Sequence, residues 1–525
     1  MRVSGVVTQQ APDTPHLAAM TVLIVCFTFA ACYFRFFVFG NVPILAGGDG
    51  PGFVSEGARI AAGQVPYRDF FEILPPGTLL TYALLIKIFG LFNAIPLLTL
   101  ACLASATVLL MTLASARLMR GYVVLLPGLL LTGFVLLGSA DATHHWFSTV
   151  FVLAGMLVLF GGMTGPRMAA AGALCGVAAC FTQTKGITAI LGFVAYMIWS
   201  SRHDNARGRE LWRRSLILCA AAFAIFAAAN SYFIATAGLR RWFYCMVTYP
   251  LRYYSAPSIN NWRVILYDFE WHRSLAAWIV FPFVYCTVPA VYLVFLFVRR
   301  RWKGYDTGSR SLLMLVAFTG IAMFFAIASE PSVKRLSTVS PPAMILLAWL
   351  LDRPARGAIY FRTGLGAVAA AMAIAVCVRV QTRHPACLDL PGGRTAFVDS
   401  TLVEEYSWVL AHTHPGQFFW GMPPFYMPFR LQNPSTIQSF HTSEYTRPED
   451  VAALVPALQR HDVPIIILAS EEKYPLTVGG ASNHLGPFVS YLRANYRETR
   501  TFANGDEVWE KDSPTSGDST AESPR

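Results

Sequence analysis

Residues 47–90 read GGDGPGFVSEGARIAAGQVPYRDFFEILPPGTLLTYALLIKIFG. This stretch is too polar at its start to cross a bilayer and too apolar to float free of one. Pro51 suits the first turn of a short helix, and Asp49 stands near its N-cap. Phe53, Gly57, Ile60 and Ala61 fall on one face of that helix, Glu56 and Arg59 on another. Pro75–Pro76 opens a second helix, and Gly90 is placed to stop it. Both read as interfacial helices lying on a membrane surface. Between them runs Pro66-Tyr67-Arg68-Asp69-Phe70-Phe71-Glu72, so Asp49, Glu56, Asp69 and Glu72 gather at a lipid–water boundary beside Arg59 and Arg68.

The rest of the chain supplies the membrane. Its 525 residues are 55% hydrophobic and 14% charged, against about 25% charged in a soluble domain. Mean hydropathy is +0.47. A large soluble enzyme, a disordered chain and a disulfide-dense secreted scaffold are thereby excluded. The net charge of +11, from 41 Lys and Arg against 30 Asp and Glu, is spread in short clusters between apolar runs. That pattern reads as membrane topology and not as a nucleic-acid surface. The 10 cysteines form no CxxC pair. Most lie in apolar runs, where Cys acts as a small hydrophobe.

A spanning helix needs roughly 20 mainly apolar residues, and about eleven runs qualify: 17–39, 93–116, 121–139, 146–164, 168–183, 186–200, 215–237, 274–298, 311–329, 338–351 and 358–379. The first is longer than a signal-peptide core, with only Arg2 before it and no good cleavage site after it. With 1–16 in the cytoplasm, Arg117, Arg120, Arg167, the cluster Arg202–Arg214, Arg299–Lys303 with Arg310, and Arg353 with Arg356 all fall inside. Segments 40–92, 140–145, 238–273 and 330–337 then fall outside. Segment 238–273 goes against the rule with five arginines, read either as headgroup snorkelling or as an anion site.

The expected fold class is an all-α polytopic membrane protein, residues 17–380, with interfacial helices in its first outer loop and a small C-terminal α/β extracytoplasmic domain, 381–511. Val463–Ala469 reads as a buried strand, Pro448–His461 as a helix, and Asn504–Gly505 as the turn of a hairpin. Residues 512–525, rich in Ser, Pro and acids, read as a disordered tail.

Acids at a lipid–water boundary beside cations suit group transfer from a lipid phosphate. A carboxylate can take the proton of an acceptor hydroxyl, and cations can stabilise a departing phosphate. The plain alternative for Asp49 is an N-cap, and for Glu56–Arg59 a helical i,i+3 pair.

The stretch also resembles a family. An acid-containing first outer loop, followed by Ala61, Ala62, Gly63, Pro66, Tyr67, Arg68, Asp69, Phe70, Pro75, Pro76, Gly77, Phe89 and Gly90, is similar to the membrane glycosyltransferases of the GT-C superfamily. The nearest groups are the bacterial protein-mannosyltransferase-like and aminoarabinose-transferase-like enzymes. The resemblance implies a polyprenyl-phosphate sugar donor, a glycan, lipid or protein acceptor, a multi-pass place in the bacterial inner membrane, and a catalytic Asp49 facing away from the cytoplasm. Relatives often carry an acidic pair where this chain has Asp49 between Gly48 and Gly50. Glu56 and Asp69 are therefore candidate helpers, and a divalent metal is left open. Arg59, Tyr67 and Arg68 are candidate substrate contacts.

Three further places fit the same resemblance. Lys334-Arg335-Leu336-Ser337-Thr338 before Pro341–Pro342 looks like the family's basic element, which implies Lys334 and Arg335 at the donor phosphate. Asp141 and His145 lie at an outer turn where the family often has an acid; a polar turn with Trp146 as interface anchor is the other reading, and the one taken for His144. Lys185, between two apolar runs, reads as a phosphate contact or as a snorkelling lysine. A transporter of a lipid-linked saccharide would also explain the spans. It would predict paired repeats and broken mid-membrane helices, and the sequence has neither.

Overall fold

The computed structural model describes residues 14–136, 141–203, 208–271, 275–298, 307–352, 356–441, 444–470 and 484–512. The segment before Thr14, the basic cluster Arg299–Lys303, Arg353 and the tail beyond Asp512 lie outside the described residues.

Each apolar run is helical over most of its described length. The chain begins with α1 (Thr14–Phe36), α2 (Gly50–Ala61), α3 (Gly77–Phe89) and α4 (Ile95–Ser115), then a short α5 (Leu126–Leu130) inside the run 121–135. It continues with α6 (His144–Leu159), α7 (Gly165–Phe181), α8 (Gln183–His203) and α9 (Gly208–Ala237). Further helices follow up to Arg356–Gln381. Among the described residues, 6 helices are long and apolar enough to cross a membrane by length and composition, and shorter apolar helices lie between them. A helix is the natural state of such segments, because it satisfies every backbone group internally where no water can.

Small residues set how closely the helices approach. A Cβ on Gly172 would sit 2.2 Å from the carbonyl oxygen of Leu218, and one on Gly176 would sit 2.5 Å from that of Ala222. α7 and α9 therefore pack backbone to backbone, as small residues allow within a membrane.

The outer loops meet at one end of the bundle. α2 is covered on both sides. Phe53 and Val54 share a core with Leu79 and Tyr82 of α3 and with Met427 of the C-terminal region. The two helices expected to lie on the membrane differ in what covers them. α3 leaves Leu80, Leu84 and Ile88 exposed at a spacing of four, a row suited to an interface. α2 is enclosed by protein.

After Gln381 the chain changes character. β3 (Ala386–Leu390) and β4 (Gly393–Phe397) form a hairpin that lies after β1 (Phe37–Val38) and β2 (Val42–Pro43) of the first loop. β5 (Ile465–Leu468), β6 (Tyr496–Thr501) and β7 (Glu507–Lys511) form an antiparallel sheet in the order β5-β7-β6. The expected strand is β5, buried along its length. The expected helix is Pro448–Arg460, where the Asp450 carboxylate accepts from the Arg447 N–H at 3.1 Å. The expected turn, with Gly505 at φ +90°, joins β6 to β7.

This C-terminal region is tied to the outer loops at several points. The Leu45 N–H donates to Ala396 O at 2.8 Å, and the Phe71 N–H to Thr436 O at 2.7 Å. Asn93 Nδ2 donates to Thr395 Oγ1 at 2.7 Å. The region closes over residues 44–93 and walls the cavity described next.

Because the first loop and the C-terminal region share one end of the bundle, both should report the same side of the membrane. Exported reporters fused after Gln381 are expected to be active and cytoplasmic ones silent; active cytoplasmic fusions would place the cavity on the inner face.

Candidate active site

The geometry begins where α2 starts. Asp49 occupies the N-cap position, yet its carboxylate makes no capping hydrogen bond. Asp141, 92 positions along, does that work. Its Oδ2 accepts from the Asp49 N–H and its Oδ1 from the Gly50 N–H, each at 3.0 Å. Two of the orphan donors at the helix start are thus satisfied from outside the helix. Gly48 has φ +74°, and a Cβ there would stand 2.2 Å from Asp141 Oδ2. An acid at position 48 would displace Asp141, which explains why a lone acid stands in this loop.

Asp141 is 3% exposed. Burial, and then the charge of Asp49, push its carboxyl up to about 7, against the pull of Lys334 and the two backbone N–H groups. Lys334 Nζ lies 3.6 Å from Asp141 Oδ2 and is half-exposed. Asp141 is thus a structural anchor, and the Asp49 side chain is left to the cavity.

That cavity has a volume of about 660 Å³. Asp49, Phe53, Glu56, Glu72, His144 and Tyr254 line it from the membrane half, and Gln438, His441, Tyr445 and Asp450 from the C-terminal region. On the other side of α2 lies a second cavity of about 750 Å³, bordered by Arg59, Asp69, Gln432 and Arg460.

The basic element forms a short helix, Val333–Val339, capped by Ser332. Arg335 pairs with Glu330 at 2.7 Å and donates to the Tyr254 hydroxyl. Tyr254 in turn donates to Glu330 at 3.0 Å. Burial pushes the Glu330 carboxyl up to about 7, and Arg335 pulls it back.

Lys185 neither snorkels nor reaches the cavity. It is fully buried, and its Nζ donates to His145 O at 2.9 Å, Thr149 Oγ1 at 3.0 Å and Thr338 Oγ1 at 2.7 Å. All three ammonium protons are used. The lysine ties α6 and α8 to the Val333–Val339 helix from behind. The two histidines of the turn sit differently. His144 lines the cavity with its ring against Phe53, while His145 is buried behind it with both ring nitrogens unpartnered.

The remaining first-loop residues hold the loop itself. Tyr67 is fully buried at φ +68° and donates to Leu74 O at 2.6 Å. Arg68 and Asp69 form an exposed ion pair at 2.8 Å, and Asp69 also accepts from the Val65 N–H. Arg59 reaches Gln64 and Ser435 and lies over Phe70, in place of an i,i+3 pair with Glu56. Among the described residues, no three His, Cys, Asp or Glu side chains converge as metal ligands.

Sequence reasoning passed over Glu72, Tyr254, Glu330, Gln438, His441, Tyr445 and Asp450. The signal for Glu72 was its place among the gathered acids. The others lie in segments without a motif.

No family model matches the sequence, and no curated protein does. The three-dimensional comparison gives a clear result. ArnT from Cupriavidus metallidurans, solved bound to undecaprenyl phosphate, superposes with a TM-score of 0.59 at 12% identity, over 95% of this chain and 98% of its own. The Archaeoglobus fulgidus oligosaccharyltransferase tethered to an acceptor peptide gives 0.52 at 10%, over 95% and 74%. The same organism's AglB, in complex with an inhibitory peptide and a dolichol-phosphate, gives 0.52 at 11%, over 96% and 75%. The chain has the GT-C fold. At 95% coverage the match takes in the C-terminal region as well as the bundle.

Asp141→Ala should leave two buried N–H groups without an acceptor and destabilise the fold by about 1–3 kcal/mol, measured as a lower melting temperature in detergent. In the unfolded chain this carboxyl titrates near its ordinary 3.8; in the fold it titrates near 7. Its contribution to stability is therefore full below the lower value and is lost as pH rises through 7. Asp141→Asn should flatten that part of the stability–pH curve.

Proposed function

We propose that the protein is an integral-membrane glycosyltransferase that moves a sugar from a polyprenyl phosphate to an acceptor hydroxyl, on the extracytoplasmic face of a bacterial inner membrane. The observation that carries this reading is the Asp49 carboxylate, relieved of capping by Asp141 and facing a cavity beside Lys334 and the Arg335–Glu330–Tyr254 triad. Solved proteins of the same fold hold undecaprenyl phosphate and dolichol-phosphate, which supports a lipid phosphate as the donor.

In this reading Asp49 orients the acceptor hydroxyl and takes its proton. The hydroxyl oxygen bonds to the anomeric carbon from the face opposite the phosphate. The carbon–oxygen bond to the phosphate breaks, and its electron pair leaves with the polyprenyl phosphate, so the anomeric configuration inverts. Lys334, half-exposed and held near Asp141, and Arg335, oriented by Glu330 and Tyr254, stabilise the charge on the departing phosphate. Lys185 acts on these two through Thr338, as a support for their helix. Glu56 shares the cavity of Asp49; Asp69 borders the other one.

Purified protein in vesicles with a radiolabelled polyprenyl-phosphate sugar is expected to transfer the label; passage across the bilayer without transfer would favour the transporter. Asp49→Asn should retain the fold, since the cap is Asp141, and lose roughly 10²–10⁴-fold in turnover, the share general-base catalysis supplies. Near-normal turnover of that variant would remove Asp49 from the chemistry. Lys334→Ala and Arg335→Ala should each cost about 1.5–3 kcal/mol, or roughly 10- to 150-fold, at limiting donor. Full activity in both would put the phosphate elsewhere.

A further inference from the structure

Two acids of the cavity face each other. Glu56, on α2, is 3% exposed and Glu72, in the loop before α3, is 6% exposed. Both line the cavity that holds Asp49. The charge of Glu72 acts directly on the Glu56 carboxyl, and two like charges buried at one cavity wall oppose each other. The surroundings decide which member keeps its charge. Glu72 Oε1 accepts from the Ile73 N–H at 2.6 Å and the Leu74 N–H at 2.7 Å, so its negative charge is held by two backbone donors. Glu56 Oε2 is buried with no donor. A proton on Glu56, directed at Glu72, removes the conflict.

We infer that Glu56 and Glu72 share one proton and act as a single hydrogen-bonding unit in the cavity wall, which positions a saccharide hydroxyl for transfer at Asp49. This rests on the glycosyltransferase reading. One shared proton keeps the unit at a single negative charge, with oxygens left to accept from a sugar O–H. Two bare carboxylates this deep would repel each other, and Glu56 Oε2 would stay without a donor. The hydroxyl belongs either to the donor sugar or to the acceptor.

The other groups facing the pair set its titration. Burial, then the Glu72 charge, raise the Glu56 carboxyl well above its ordinary range; Arg59, on the same helix, and Gln438, from the C-terminal region, oppose this. Burial raises Glu72 too, and its backbone donors and Glu56 hold it down. Tyr67 and Tyr445 feel the charge of Glu72, and Cys245 lies against it. Asp49, His144, His441 and Asp450 share the cavity. The shared proton is lost as pH rises, so activity should fall on the alkaline side.

The test is the pH profile of kcat/KM for wild type, Glu56→Gln, Glu72→Gln and Asp49→Asn. Infrared difference spectra of wild type minus each glutamine variant report the protonated carboxyl directly. Glu56→Gln should raise KM, roughly 5- to 150-fold, and remove the alkaline limb. The substrate whose KM rises, polyprenyl-phosphate sugar or acceptor, identifies the hydroxyl. Glu72→Gln keeps an oxygen for the two backbone donors but removes the charge that raises Glu56, so the alkaline limb should move to lower pH. The difference spectrum should show a carboxylic acid at neutral pH that vanishes with Glu56→Gln. The proposal is overturned if that band is absent, if the limb stays in place in Glu72→Gln, or if Glu56→Gln lowers kcat as far as Asp49→Asn with KM unchanged. Should wild type transfer no sugar, the glycosyltransferase reading fails, and the infrared band still decides the shared proton.

Discussion

The site depends on one carboxylate holding two backbone N–H groups. Asp141 accepts from Asp49 and Gly50 at the first turn of α2, and so joins the first outer loop to the start of α6. Leaving those donors buried and unmet would cost about 1–3 kcal/mol. The carboxylate also sits where the dipole of a 12-residue helix is positive. Because Asp141 takes the cap, the side chain at the cap position is released. The same contact forbids a side chain at 48, and Lys334 closes on the same carboxylate at 3.6 Å.

The three cations around the site differ in how far they are removed from water, and that difference sorts their roles. A buried charge must have its hydrogen bonds satisfied. Lys185, fully buried, has three neutral acceptors and no proton to spare, so it serves as a strut. Arg335, largely buried, is satisfied by Glu330 and Tyr254 and is oriented by them. Lys334, half-exposed, has only a 3.6 Å contact to Asp141 and keeps donors for a ligand. The acids divide in the same way. Asp69 is spent on Arg68 and Val65 at the surface, whereas Glu56 and Glu72 meet inside the cavity.

The C-terminal region makes a groove into a cavity. Without it, Glu56 on α2 and Glu72 in the loop before α3 would face a more open groove. Gln438, His441, Tyr445 and Asp450 close the other wall, and Tyr249 donates to Tyr445 O across the junction. Exclusion of water strengthens each electrostatic contact inside.

The sequence by itself determined the helical membrane class, the place of the outer loop, the start of α2 at Asp49 and Pro51, the buried strand at 465–468 and the hairpin around Gly505. Each follows from local composition, periodicity or turn chemistry, which a single strand of text contains. It also gathered Asp49, Glu56, Asp69 and Glu72 in one outer segment by charge, and the family resemblance added Lys334 and Arg335. Only the tertiary structure decided that Asp141 and not Asp49 caps α2, that Lys185 is a strut, that His144 and not His145 meets the cavity, and that the face carrying Glu56 is enclosed. Periodicity tells which residues share a side of a helix. It does not tell what covers that side. The covering partners here come from 92, 153 and 386 residues away, Asp141 on Asp49, Thr338 on Lys185 and Gln438 on Gly52, and no local pattern encodes contacts of that reach.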